Sequence, residues 1–218
     1  YKALPDYTKY NRNLSEICEE VESNNIDYFI SVHSNAATEG TTTNYPLFLM
    51  RGLDKDKRGD ATSPHDFVEG SYERAAACWA YRYGIMASGI DPASYYSMTS
   101  MNIRGDVSFM GSGSEATRTN GQKYYGYYGV LKHGAPGFLV EGYFHTYQPA
   151  RHRALNHDYC HQEGLAYYRG IVDYYGADKE KVGYIMGTVK DLHRKMNNPL
   201  FNYAPKTNDQ WIPCNGAE

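Results

Sequence analysis

Two residues in this sequence stand where hydrolytic chemistry could be done. An apolar run, Tyr28 to Val32, ends on His33 and is followed at once by Ser34 and Asn35. A second apolar run, Gly137-Phe-Leu-Val-Glu-Gly-Tyr-Phe144, carries Glu141. A neutral imidazole is a common metal ligand. A carboxylate at the end of a buried strand is costly unless it is paired, hydrogen-bonded or close to a metal. Side by side, the two would make a metal-assisted hydrolytic site, with Glu141 as the base that takes a proton from activated water. Each also has a plain structural reading: a hydrogen-bonded histidine and a salt-bridged glutamate.

Other groups have less support. Asn35 could orient a ligand or cap the following turn. Arg104 could grip a substrate carboxylate or pair with an acidic side chain. His145, four residues beyond Glu141, is a further candidate. His157 and His161 stand four apart but lack the glutamate of a helical zinc motif, so they read as surface histidines. The segment Gly111-Ser-Gly-Ser114 has neither the strand before it nor the helix after it that a phosphate loop needs.

These residues need elements to hold them. Asn13 with Glu16 forms a capping-box pattern, and Leu14, Ile17, Cys18 and Val21 recur along one face of a short helix that ends at Asn24-Asn25. Residues 26–33 then read as a buried strand and 45–50 as the next one. The charged stretch 51–64 reads as a surface excursion. Asp66 can cap a long helix in which Val68, Tyr72, Ala75, Trp79, Tyr83 and Met86 share a face, stopping near Gly89. Residues 90–126 read as a long loop, 127–131 as a short strand, and 137–141 as the second buried strand. Residues 151–175 read as one helix with Leu165, Tyr168, Val172 and Tyr175 inward. Beyond Gly176 a charged linker leads to a strand over 182–191 and a proline-bearing tail.

The chain has 218 residues, of which 41% are hydrophobic, enough for one α/β domain with an extension. A net charge of −3 argues against nucleic acid as a partner. No apolar stretch is long enough to span a bilayer. Cys18, Cys78, Cys160 and Cys214 have no zinc spacing, and the first three read as buried thiols in helices. The 23 tyrosines read mostly as half-buried core residues, though a tyrosine surface also suits sugars or peptides.

The chain resembles the zinc-dependent N-acetylmuramoyl-L-alanine amidases, which are peptidoglycan hydrolases. Phe29-Ile-Ser-Val-His-Ser-Asn-Ala36 resembles their strand ending in Ser-x-His-x-Asn. Gly129-Val-Leu-Lys-His-Gly-Ala-Pro-Gly-Phe-Leu-Val-Glu-Gly-Tyr-Phe144 resembles their run into a Leu-Val-Glu strand. Ile103-Arg-Gly105 resembles an Arg-Gly pair between the two. The resemblance implies an α/β fold with a central, mostly parallel or mixed sheet between helices. It implies His33 as a zinc ligand, Glu141 as the catalytic residue, and Arg104 and Asn35 as substrate-binding residues. It also implies a bacterial envelope or secreted location.

The match runs over about residues 5–176. The family's first strand and first helix, which supply a zinc histidine and a zinc glutamate, have no counterpart in it. The expected organisation is therefore an amidase-like domain over 1–176, incomplete at its N-terminus, then a linker and the start of a β-rich module over 177–218. Two other functions stay open: a zinc peptidase on a related sheet, and a non-catalytic peptidoglycan-binding module.

Overall fold

In the computed structural model, residues 12–54, 68–91, 102–177, 185, 187–197 and 208–214 are described. The Asp66 cap, most of the 51–64 excursion, and much of the 182–191 strand and the tail lie outside them.

Helix α1 spans Leu14–Ser23, and its capping box is present: the Asn13 side chain accepts from the Glu16 amide at 2.8 Å, and Glu16 reaches back to the Asn13 amide. Strand β1 is Phe29–Asn35 and β2 is Leu47–Met50. Helix α2 is Ser71–Ala87. Strand β3 (Ile103–Gly105), helix α3 (Asp106–Met110) and the hairpin β4 (Ser114–Thr117) and β5 (Lys123–Gly126) follow. Strand β6 is Gly137–Phe144. Helices α4 (Gln148–Ala154) and α5 (His157–Tyr174) precede a last antiparallel pair, β7 (Lys190–Lys195) with β8 (Trp211–Pro213).

The central sheet has four strands in the order β1-β6-β2-β3 and is mixed, with helices flanking it, so the α/β expectation holds. The Phe29 amide donates to the Pro136 carbonyl at 3.0 Å, and the His145 amide donates to the Asn35 carbonyl at 2.9 Å. The numbers rise together along both chains, so β1 and β6 run parallel.

Several expectations are corrected. β1 is not a buried strand. It edges the sheet, and Val32 on it is 62% exposed. Residues 102–126 are not loop but hold β3, α3 and the β4–β5 hairpin, elements too short to leave a period in sequence. Residues 129–131 form a 3₁₀ turn, not a strand.

The long C-terminal helix is two helices. Asn156 caps the second by accepting from the Tyr159 amide at 3.0 Å. Its buried face is Tyr159, Glu163, Ala166, Tyr167 and Gly170, while Tyr168 and Tyr175, expected inward, are half exposed. Cys18 and Cys78 are buried as expected, but Cys160 is exposed.

The chain forms two compact units, and the division runs through β1, β2 and β6. The first comprises Tyr1–Ser31, Leu49–Tyr72 and Ile103–Leu139. In it, Arg118 ties three segments by donating to the Lys132 carbonyl at 2.9 Å and the Ser15 hydroxyl at 3.0 Å, and lying 3.8 Å from Glu19. Asp106, fully buried, accepts from the amides of Gly52, Tyr127 and Tyr128 at 2.7–2.9 Å.

The second unit comprises Val32–Phe48, Glu73–Asn102 and Val140–Glu218. Phe48 meets the rings of Trp79 and Tyr167 at 5.5 and 6.4 Å. α2 and α5 cross so closely that a Cβ on Gly170 would lie 2.5 Å from the Cys78 Cα, so only glycine fits there. No described helix is long and apolar enough to cross a membrane.

Candidate functional site

The ends of β1 and β6 meet in the second unit. Glu141 lies in the middle of β6, only 6% exposed, and its Oε2 is buried with no hydrogen-bond partner among the described residues. Burial pushes its carboxyl pKa above the usual glutamate value. A structural salt bridge, the plain alternative for this residue, is not present among the described contacts.

On the neighbouring strand, His33 is exposed. Counted back from the His145–Asn35 bond, it stands within one residue of the level of Glu141. Asn35 accepts from the Ala36 amide at 2.8 Å through its side chain, so it shapes the turn that leaves the strand. Ser34 Oγ lies 3.0 Å from His145 Nδ1. The two strands are thus joined by side chains at the end where open α/β sheets place ligands.

Arg104 belongs to the first unit. Its Nε donates to both Asp54 oxygens, at 3.0 and 3.1 Å, while the side chain stays 37% exposed. Asp54 also accepts from the Gly105 amide at 2.7 Å. The pairing with an acidic side chain is therefore present, and the exposed end of the guanidinium remains open toward solvent.

What holds β6 in place was missed in sequence. Arg82, in the middle of α2, is completely buried. Its Nη2 donates to the Gly142 carbonyl at 2.6 Å and contacts Asp91, and its Nε donates to Glu163 at 3.2 Å. Asp91 in turn accepts from Arg153 at 2.6 Å and from Asn44 at 2.9 Å. Asn44 then accepts from the Phe144 amide at 3.0 Å.

Backbone groups on either side of Tyr143 are thereby pinned to a charged cluster. Burial alone would raise the Asp91 pKa, but Arg153 and Arg82 hold it below the usual carboxylate value. Burial alone would lower the Arg82 pKa, but Tyr159, Asp91 and Glu163 keep it raised, so the pair stays ionised. A Cβ on Gly142 would fall 2.2 Å from Glu163 Oε1, so a side chain there would push that carboxylate out of its place beside Arg82. Arg82 was legible to a degree: it lies four residues after Cys78 on the line of α2 that continues to Ile85.

Among the described residues, no group of three His, Cys, Asp or Glu side chains could hold a metal ion. His33 offers one nitrogen donor and Glu141 a buried orphan oxygen. These fit the edge of a metal site but do not complete a donor set.

No protein-family model and no curated protein matches the sequence. Solved structures do. The catalytic domain of CwlV, an N-acetylmuramoyl-L-alanine amidase from Bacillus (Paenibacillus) polymyxa var. colistinus, is 14% identical. The match covers 77% of this chain and 68% of that one, with a TM-score of 0.50. An N-acetylmuramoyl-L-alanine amidase from Clostridium difficile 630 matches at 14% identity over 77% and 68% of the two chains, TM-score 0.47. The amidase AmiC2 of Nostoc punctiforme matches at 18% over 73% and 63%, TM-score 0.45. At this identity the likeness to the CwlV domain is one of fold: this chain has the mixed α/β fold of an N-acetylmuramoyl-L-alanine amidase catalytic domain.

Proposed function

We propose that this chain is a zinc-dependent hydrolase of the amide bond between N-acetylmuramic acid and L-alanine in peptidoglycan, acting in the bacterial envelope or outside the cell. The observation that carries the reading is Glu141: a buried carboxylate whose Oε2 has no partner among the described residues, on a parallel strand pair, with its pKa raised by burial. A more basic carboxylate, kept clear of competing donors, suits proton transfer near neutral pH.

In this reading water attacks the carbonyl carbon of the lactyl amide. Glu141 takes a proton from that water and passes it to the amine nitrogen as the C–N bond breaks. The products are a muramyl carboxylate and a peptide with a free L-alanine amine. His33 is the donor that the described residues would give to a zinc ion, which would supply Lewis-acid activation when bound. Arg104 would hold a carboxylate of the stem peptide with the exposed end of its guanidinium, and Asn35 would contact substrate from the turn after β1. The amidase-like part is taken as 1–176, with 177–218 a linker and the start of a β-rich module.

The test is digestion of purified peptidoglycan with and without added zinc, followed by mass spectrometry of the released fragments. Free stem peptides starting in L-alanine, lost with chelator and lost in Glu141→Gln, are expected. Sacculi left intact by the zinc-supplemented protein would end the reading.

A further inference from the structure

The hydrogen-bonded pair Ser34–His145 has no part in the mechanism above, yet it lies at the same strand ends. Ser34 Oγ is 3.0 Å from His145 Nδ1. The His145 backbone is fixed too, through its amide bond to the Asn35 carbonyl at 2.9 Å. The side chain of His145 is only half-buried, and its Nε2 is not among the buried atoms that lack a partner. One ring nitrogen is therefore anchored inside the protein while the other faces outward.

An unprotonated imidazole nitrogen is a better acceptor than an alkyl hydroxyl oxygen. Ser34 is therefore assigned as the donor to His145 Nδ1. With Nδ1 occupied as acceptor, the proton of the neutral ring sits on Nε2. A neutral N–H held still at a site where an amide is cleaved is suited to the carbonyl oxygen, which gains negative charge as water adds.

We propose that His145 is a further catalytic residue that donates a hydrogen bond from Nε2 to the scissile carbonyl oxygen, and that Ser34 is a positioning residue that holds it in the required tautomer. This rests on the amide-hydrolase reading of the same strand ends. The role needs no change in the charge of His145.

Two measurements decide it. The first uses nitrogen NMR of the full chain at neutral pH, with His145→Gln identifying the signals. Nδ1 is expected as an unprotonated acceptor and Nε2 as N–H. In Ser34→Ala the two tautomers should mix. A wild-type ring protonated on Nδ1, or a tautomer unmoved by Ser34→Ala, overturns the positioning role.

The second measurement is turnover of peptidoglycan. His145→Ala should lower kcat by about 100-fold, the range for one oxyanion donor, with KM changed by less than about threefold. His145→Gln, which keeps an N–H donor, should recover part of the loss. An active wild type whose kcat survives His145→Ala sinks the donor role alone. A wild type that cleaves nothing removes the hydrolase reading, and the donor role with it, while the tautomer experiment still decides the Ser34–His145 pair.

Discussion

The guanidinium of Arg82 donates to the carbonyl oxygen of Gly142 at 2.6 Å, one residue beyond Glu141. A completely buried cation on α2 thus fixes the backbone beside the candidate base, and does so with its charge balanced by Asp91 and Glu163. Such a cluster holds one geometry well, because removing any member leaves another charge buried and alone. Arg82→Met should therefore destabilise the protein by about 3–5 kcal/mol. Urea denaturation would measure it, and a loss below about 1 kcal/mol would show that the cluster is not a cooperative unit.

Glu141→Gln should separate stability from activity. The folded pKa of Glu141 is raised above its unfolded value. Its contribution is therefore fully favourable below the unfolded pKa and is lost as pH rises through the folded one. At neutral pH the wild type carries the cost of a buried carboxylate, and a glutamine does not titrate. With chelator present, the Tm of the variant should gain on the wild type as pH climbs from about 4 to 8, while turnover falls by at least ~100-fold. A parallel pair of Tm curves would mean the carboxylate is better solvated than its burial implies.

His133 should give the fold an acid limit. It is 2% exposed, neither ring nitrogen has a hydrogen-bond partner among the described residues, and its ring stands edge-on to Phe29 at 4.5 Å between centroids. Burial lowers its pKa from 6.5 to about 4. Between those values the unfolded chain binds a proton that the folded chain does not. Stability is therefore full above pH 6.5 and falls as pH drops toward 4, by about 3 kcal/mol in all. His133→Leu should flatten that slope in denaturation curves taken across this range. An unchanged slope would assign the acid limit to the carboxylates.

Asn13→Ala tests a feature that is purely local. Removing the cap should cost about 1 kcal/mol, read by denaturation, with peptidoglycan turnover unaffected. A cost near zero would mean that α1 is held by its buried Cys18 and Val21 alone.

How much of this was legible in sequence divides by range. The α1 cap was, because a capping box is complete within four residues. The core strands β2 and β6 were, because a short apolar run bounded by turns has few other uses. The two residues singled out in β1 and β6 were visible as a histidine and a glutamate following apolar runs, though both strands continue past them, and the parallel pairing of those strands follows the expected α/β plan.

Tertiary structure decided the rest. That β1 is an edge strand depends on what lies beside it, and nothing in its own residues states this. The buried face of α5 runs through Glu163, a charge that periodicity counts as outward and that Arg82 and Tyr167 make tolerable inside. The break at Leu155–Asn156 needed only one local cap and was lost in a run of helix-forming residues. Ser34 and His145 are 111 positions apart, and only folding brings a hydroxyl and an imidazole nitrogen to 3.0 Å. Local hydrogen bonds and apolar runs are written within a few residues and can be read there. Charge pairs and site geometry depend on distances through space, which the order of residues does not contain.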